Sequence, residues 1–297
     1  MYVTLILFGF WLAANLVHYA WVRIRRACWE RRVSRDADEL LPQAAPFAIG
    51  TGPIALLMIH GFADTPRLWQ RMADRLATKG TFTCRAMLLP GSAQPLARAK
   101  HQSLPLWRQA IDDELDRLHA THPAVWVVGH SLGGALALDA ALRHPQTVAG
   151  AAVLAPMIAV SRKRSPLFPP AVWFGLASVL LCLSPTFESC FSADNTAADD
   201  PSFVYTKDRF IPFCVYRGLF QLIRANRDQA VHLTCPVFAA TAELDSVVDT
   251  PATHRWFARC SSPKRIRAIP EIRHVIPLEN GWQVITDDLA DFIVAQA

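Results

Sequence analysis

The sequence predicts an α/β fold in which a mostly parallel sheet carries helices on both faces, preceded by an N-terminal transmembrane helix. Three observations carry this reading. Short apolar runs at Ile54–Ile59, Cys84–Leu89, Trp126–Val128, Ala151–Leu154, Val237–Ala240 and Arg265–Ile269 read as strands buried on both faces. Helical periodicity separates them at Arg67–Lys79, Leu106–Thr121 and Ser131–Arg143, the alternation expected of a covered parallel sheet. Residues 1–22 carry no charged side chain. At a rise of about 1.5 Å per residue, such a helix reaches about 30 Å, the thickness of a bilayer's hydrocarbon core.

Composition supports a folded, well-packed chain. Of 297 residues 52% are apolar and 19% charged, with 13 Gly and 21 Pro, which excludes disordered, collagen-like and coiled-coil proteins. The seven Cys are odd in number and include no C-x-x-C pair. That argues against a disulfide scaffold or a thiolate zinc site and favours a reducing compartment. The net charge of +5 would suggest nucleic acid until it is located. Six Arg and one Glu lie between Arg23 and Arg35, leaving 24 basic and 24 acidic residues elsewhere. The basicity is local, and nucleic acid is not an expected partner.

The N-terminal segment reads as a membrane anchor over residues 1–22, followed by a basic juxtamembrane linker over 23–45. Tyr2, Trp11, Tyr19 and Trp21 include aromatics near both ends, where amphipathic rings prefer the headgroup level. A signal peptide would place its charges before the apolar run; here Arg23, Arg25, Arg26, Arg31, Arg32 and Arg35 follow it. These Arg should stay cytoplasmic with the main domain behind them, drawn to anionic lipid headgroups. Asn15 and His18 are polar intrusions and leave a helix buried against protein as the alternative.

Residues 46–297 suit one α/β domain, with no internal repeat. From about 157 to 229 its rhythm is interrupted by Pro166, Pro169, Pro170, Pro185, Pro201 and Pro212 and by the apolar run Ala171–Leu183. That run is too short to span a bilayer. It reads either as a core helix or as a helical lid whose apolar face lines a pocket or touches lipid, with Arg162, Lys163 and Arg164 just before it.

The chemistry centres on Gly129-His130-Ser131-Leu132-Gly133, a G-x-S-x-G placed directly after a strand and before a helix. The tight turn strains the nucleophilic Ser131, and Gly129 and Gly133 remove side chains that would clash. The helix N-terminus directs amides toward the oxygen where negative charge develops. A serine hydroxyl needs a base. His274, in the loop between the last strand and the terminal helix, is the candidate. His130 reads as a packing residue pointing away from the attacking face. His119, His122 and His144 read as helix-end caps, and His232 and His254 as surface residues. The base in turn needs an acid. Asp245, after strand Val237–Ala240, is the candidate, with Asp249 and Glu243 as competitors. His60-Gly61-Phe62 follows the first strand and offers the Phe62 N–H to pair with that of Leu132 as an oxyanion hole. His60 is expected to order that loop and not to transfer protons.

Ser131, Asp245 and His274 in this order, with MIHGF, GHSLGG, ELDSVV and RHVIPLE, resemble the α/β-hydrolase superfamily, and within it the monoacylglycerol lipase, lysophospholipase and bacterial carboxylesterase group. The resemblance covers about Ile54 to the C-terminus. It implies an α/β-hydrolase fold with an eight-stranded sheet, a Ser-His-Asp triad and esters of single acyl chains as substrates. Pro90-Gly91-Ser92-Ala93 stands where the group has Pro-Gly-His-Gly. A membrane-anchored serine ester hydrolase acting on a lipid-derived substrate, with no metal or organic cofactor, is the expectation. A thioesterase, acyltransferase or serine aminopeptidase with the same triad, and a non-catalytic membrane-tethered binding module, are the alternatives. Oligomeric state is not legible.

Overall fold

The computed structural model describes residues 2–165, 167–184, 186–189, 192 and 194–296. The chain opens with helix α1 (Tyr2–Glu30), which by length and composition could cross a membrane. It does not stop at Val22. Arg23, Arg25 and Arg26 continue it to Glu30, so the expected linker is helical over its first part; Arg and Ala are good helix formers and nothing here breaks the helix.

The central sheet is built from β1 (Phe47–Ile49), β2 (Ile54–Ile59), β3 (Phe82–Met87), β4 (Ala124–His130), β5 (Val148–Leu154) and two later strands. After β5 comes the interrupting region. It holds α6 (Pro170–Leu180) and four three-residue strands, β6 (Thr186–Glu188), β7 (Asp194–Thr196), β8 (Val204–Thr206) and β9 (Phe210–Pro212), followed by α7 (Phe213–Asn226). The last sheet strands are β10 (Val237–Ala242) and β11 (Lys264–Ile269). The remaining helices are α2 (Gln70–Ala77), α3 (Leu96–Ala99), α4 (Leu104–His119), α5 (Leu132–Arg143), α8 (Thr250–Ala258) and α9 (Trp282–Val294).

The strand order is β1-β3-β2-β4-β5-β10-β11, parallel throughout except for β1 against β3. Among the described residues the sheet therefore has seven strands, where the resemblance implied eight. Residues 31–46 form turns instead of a further edge strand. Pro42 and Pro46 lack the N–H a ladder needs, and the Leu41 N–H is taken by the Ala93 carbonyl at 2.9 Å.

Side-chain alternation along the strands feeds two cores. Leu57, Ile59 and Val127 face one, with α4, α5, α7 and α8; Leu56, Met58, Trp126 and Val128 face the other, with α2 and α9. Each such fully buried aliphatic side chain contributes about 1.5–3 kcal/mol. Strand β11 is the exception among the apolar runs: Lys264 and Arg267 are exposed, and charged side chains of this kind discourage pairing at an open edge.

The interrupting region is less helical than expected. Among the described residues it carries two small antiparallel pairs, β6 with β9 and β7 with β8. Three residues are too few for a readable alternation. α7, at its end, packs into the core through Val215, Leu219 and Leu222.

After β3 the chain crosses β2 to reach β4, reversing the direction in which strands are added. In an open parallel sheet that reversal leaves a crevice at the carboxyl ends of the two strands. His60-Gly61-Phe62 follows β2 there, and Ser131 follows β4.

Candidate active site

Ser131 occupies the turn between β4 and α5 with φ 54° and ψ −115°, a conformation that strains any residue with a Cβ. The turn is enforced by close backbone approach. A Cβ at Gly129 would meet the Gly133 carbonyl oxygen at 2.1 Å, and one at Gly133 would meet that of Ile59 at 2.1 Å. These contacts bring the start of α5 against the end of β2. Leu132 opens α5 and its N–H has no intrahelical acceptor, while Phe62 follows Gly61, where a Cβ would lie 3.4 Å from that of Ser131.

His274 lies in the loop after β11. Its Nε2 is 2.9 Å from Ser131 Oγ and its Nδ1 is 2.7 Å from Asp245 Oδ2. Asp245 is buried, and its other oxygen accepts the N–H groups of Val247 at 2.7 Å and Val248 at 2.9 Å. Burial pushes its carboxyl up, but the hydrogen bond and charge of His274 and the Val248 and Val247 amides outweigh this and hold it below the ordinary aspartate value. Lys163 Nζ donates to the Asp245 carbonyl oxygen at 2.8 Å and steadies the same loop. The competitors lie elsewhere. Asp249 caps α8, accepting the Ala252 N–H at 2.8 Å, and Glu243 is exposed.

His60 is fully enclosed. Its Nε2 accepts the Leu89 N–H at 3.1 Å, which leaves Nδ1 to donate to the Gly61 carbonyl at 2.9 Å. Burial lowers its pKa, and this pairing suits the neutral ring. The same loop is tied to the interrupting region through Asp64, which accepts the Tyr205 hydroxyl at 2.9 Å.

His130 is more involved than a packing residue would be. It is buried, its ring lies 5.0 Å from that of His274, and its Nε2 is 3.0 Å from the His274 carbonyl oxygen. Burial first, and the charge of His274 second, push its pKa down to about 3. It is a neutral donor holding the His274 loop. His254, read from the sequence as a surface residue, is half-buried with Nε2 3.0 Å from Thr241 Oγ1.

Pro90-Gly91-Ser92-Ala93 is fastened by a residue that the sequence does not mark. The Ala93 N–H donates to Asp208 Oδ2 at 2.8 Å, and the Asp208 N–H donates to the Ala63 carbonyl at 3.2 Å. Burial raises the Asp208 pKa from 3.8 to about 7, against the opposing pull of the Ala93 amide and Arg35. Below pH 3.8 the carboxyl is protonated folded or unfolded. Between there and about 7 the unfolded chain loses the proton first, so stability falls as pH rises and the full penalty stands above about 7. Asp208→Asn should therefore raise the melting temperature at pH 8 and leave it nearly unchanged at about pH 3, below the unfolded value, measured by thermal unfolding across that range.

Around Phe62 the crevice is walled by rings. Phe62 lies 4.9 Å from Tyr216, Tyr216 5.8 Å from Phe174 of α6, and Phe187 4.2 Å from Phe213. A separate cavity of about 650 Å³ lies behind the acid loop, lined by Ser161, Lys163, Glu243, Asp249 and Pro270 among others, and contains neither Ser131 nor His274.

Residues 54–281 match the family described as Serine aminopeptidase, S33. The chain belongs to this family of the α/β-hydrolase superfamily. The chain is 22% identical over 259 residues to a thermostable monoacylglycerol lipase of Bacillus sp. (strain H-257), covering 87% of this chain and 97% of that one. Among solved structures it is similar to a chain of the metagenome-derived lipolytic enzymes LipS and LipT (TM-score 0.74, 19% identity, 86% of this chain and 99% of that one). It is also similar to the monoacylglycerol lipase of Paleococcus ferrophilus (TM-score 0.69, 20% identity, 85% and 98%). At these identities the structural likeness establishes the fold of this S33-family chain.

Proposed function

We propose that this S33-family protein is a membrane-anchored serine hydrolase that cleaves carboxylic esters of lipid origin, of the monoacylglycerol or lysophospholipid type. The observation that carries this is the unbroken line Asp245–His274–Ser131, with both contacts at hydrogen-bond length. In this reading Asp245 keeps the proton of the resting ring on Nδ1. Nε2 is then the free base, and it takes the Ser131 proton as Oγ attacks the acyl carbonyl. The Phe62 and Leu132 amides receive the oxyanion, each supporting about 3 kcal/mol of barrier lowering. His274 passes its proton to the leaving alcohol, and water then frees the acyl group by the same steps in reverse.

The ester reading is supported by the aromatic wall, which suits an acyl chain, and by the lipases among the relatives. An aminopeptidase would need an unengaged carboxylate for the substrate ammonium. Glu188 is instead held by Arg25 at 2.7 Å and Arg209 at 2.7 Å. For the anchor, α1 supplies the length and apolarity and the Arg that follow it supply the orientation, with the catalytic domain cytoplasmic.

The test is labelling by a fluorophosphonate, followed by rates on monoacylglycerols, lysophospholipids, acyl thioesters and aminoacyl amides. Labelling of the intact protein with fastest turnover of a lipid ester is the expected result. No labelling beside a reactive control esterase would end the serine-hydrolase reading, and fastest turnover of an amide would replace the ester.

A further inference from the structure

Asn15 lies in the middle of an apolar helix, yet it is buried, 1% exposed. What buries it is the lid. Its Nδ2 donates to the Leu180 carbonyl at 2.6 Å and to the Trp11 carbonyl at 3.0 Å, and its Oδ1 faces the Leu183 N–H at 3.4 Å. Leu180 ends α6, so Asn15 occupies a backbone carbonyl that the helix itself leaves without a partner.

Helix α6 is built as if water were absent. None of its residues is buried, and those facing outward are apolar: Val172, Trp173, Leu176, Val179 and Leu180 are exposed, Val179 at 70%. Pro169 and Pro170 bring no N–H to its start, and Ser178 Oγ turns back to the Phe174 carbonyl at 2.7 Å. Hydrocarbon admits only segments whose backbone groups are satisfied internally or by a neighbouring side chain. Asn15 serves that condition at the C-terminal end, for the Leu180 carbonyl and the Leu183 N–H.

The rest of the contact sets the depth. Arg25 of α1 reaches Glu188 of β6, which Arg209 also holds, and Trp29 lies 5.9 Å from Phe210 of β9. Along α1, Asn15 precedes Arg23 by about 12 Å. With Arg23 at the headgroup level, the end of α6 lies well inside the acyl region while the Arg25–Glu188 pair lies at its edge.

We propose that the lipid bilayer covers α6, with α1 and α6 forming one continuous lipid-facing surface, and that Asn15 is the positioning residue that joins anchor to lid within the acyl region. This rests on the anchor reading above. It makes α1 part of the lid and not a tether alone, and it opens the Phe174–Tyr216–Phe62 wall toward lipid.

The experiment uses Cys182, an exposed free thiol just beyond α6. In the full chain with Cys28, Cys190 and Cys214 changed to Ser, a nitroxide at Cys182 is examined in phosphatidylcholine–phosphatidylglycerol vesicles. The expected result is high accessibility to oxygen and low accessibility to a water-soluble nickel chelate. Asn15→Leu should reduce the oxygen-to-nickel ratio, because the uncapped helix end moves outward to water. The same variant should lower hydrolysis of a vesicle-borne long-chain monoacylglycerol about three- to tenfold, leaving a soluble short-chain ester within about twofold. A nickel-accessible nitroxide on protein that still floats with vesicles overturns the proposal. So does spin–spin broadening, which would cover the face with a second copy, and so does an unchanged ratio in Asn15→Leu. Protein that does not float with vesicles defeats the anchor itself, and protein that hydrolyses neither ester defeats the enzyme reading.

Discussion

Replacing Ser131 by Ala should reduce ester hydrolysis by about 10⁴–10⁶-fold, because among the described residues no other hydroxyl is offered to His274 Nε2. Stability should hardly change. The lost hydrogen bond to His274 is worth about 1 kcal/mol, and Ala keeps the Cβ that makes φ 54° costly. Ser131→Gly separates the two effects. It removes the same hydroxyl and also relieves the strained turn, so it should be equally inactive and more stable than Ser131→Ala by about 1 kcal/mol. Turnover of a short-chain p-nitrophenyl ester and thermal unfolding of both variants check this. Retained turnover in either would mean a different nucleophile.

Asp245→Asn should lower kcat by about 10⁴-fold with little change in fold, for a reason visible in the acid's own hydrogen bonds. The amides of Val247 and Val248 both donate to Oδ1, so the side-chain oxygen of the introduced amide must stay on that side. The NH₂ group then faces His274 Nδ1 and forces it to accept. The ring proton moves to Nε2, where it confronts Ser131 Oγ instead of receiving its proton. Asp245→Ala imposes no tautomer and should retain more activity than Asp245→Asn. The reverse ranking, or an equal loss in Asp249→Asn, would reassign the acid. Asp249→Asn should instead cost at most about 1 kcal/mol of stability through the cap of α8. Initial rates of the three variants on one soluble ester decide between these outcomes.

Much of this was legible from the chain. The strands β2, β4, β5 and β10 lie within a few residues of their apolar runs, because a strand buried on both faces leaves a continuous hydrophobic signature. The strained turn at Ser131 was legible for a related reason: Gly129 and Gly133 occupy places where backbone meets backbone, and only Gly fits. The three-residue strands β6 to β9 were not legible. Their pairing joins positions that are not neighbours in the chain, as with Thr186 and Pro212 or Arg209 reaching Glu188, and too few positions exist to show a period.

The roles of Asp64, Asp208 and His130 were illegible for another reason. Each binds a backbone group or a hydroxyl far along the chain, and a carboxylate or imidazole in a loop looks the same whether solvated or enclosed. Asn15 belongs with them. In the sequence it is a blemish in an apolar helix; in the fold it partners the end of another helix.

The linear chain alone determined the apolar anchor-length helix, the layered α/β order and the types of residue offered for proton transfer, since periodicity and local steric need are written in neighbouring positions. Only the tertiary structure decided which carboxylate backs His274, what the interrupting region leans on and where Asn15 points. Those are contacts between distant segments, and their energies depend on burial and alignment that no stretch of neighbours encodes.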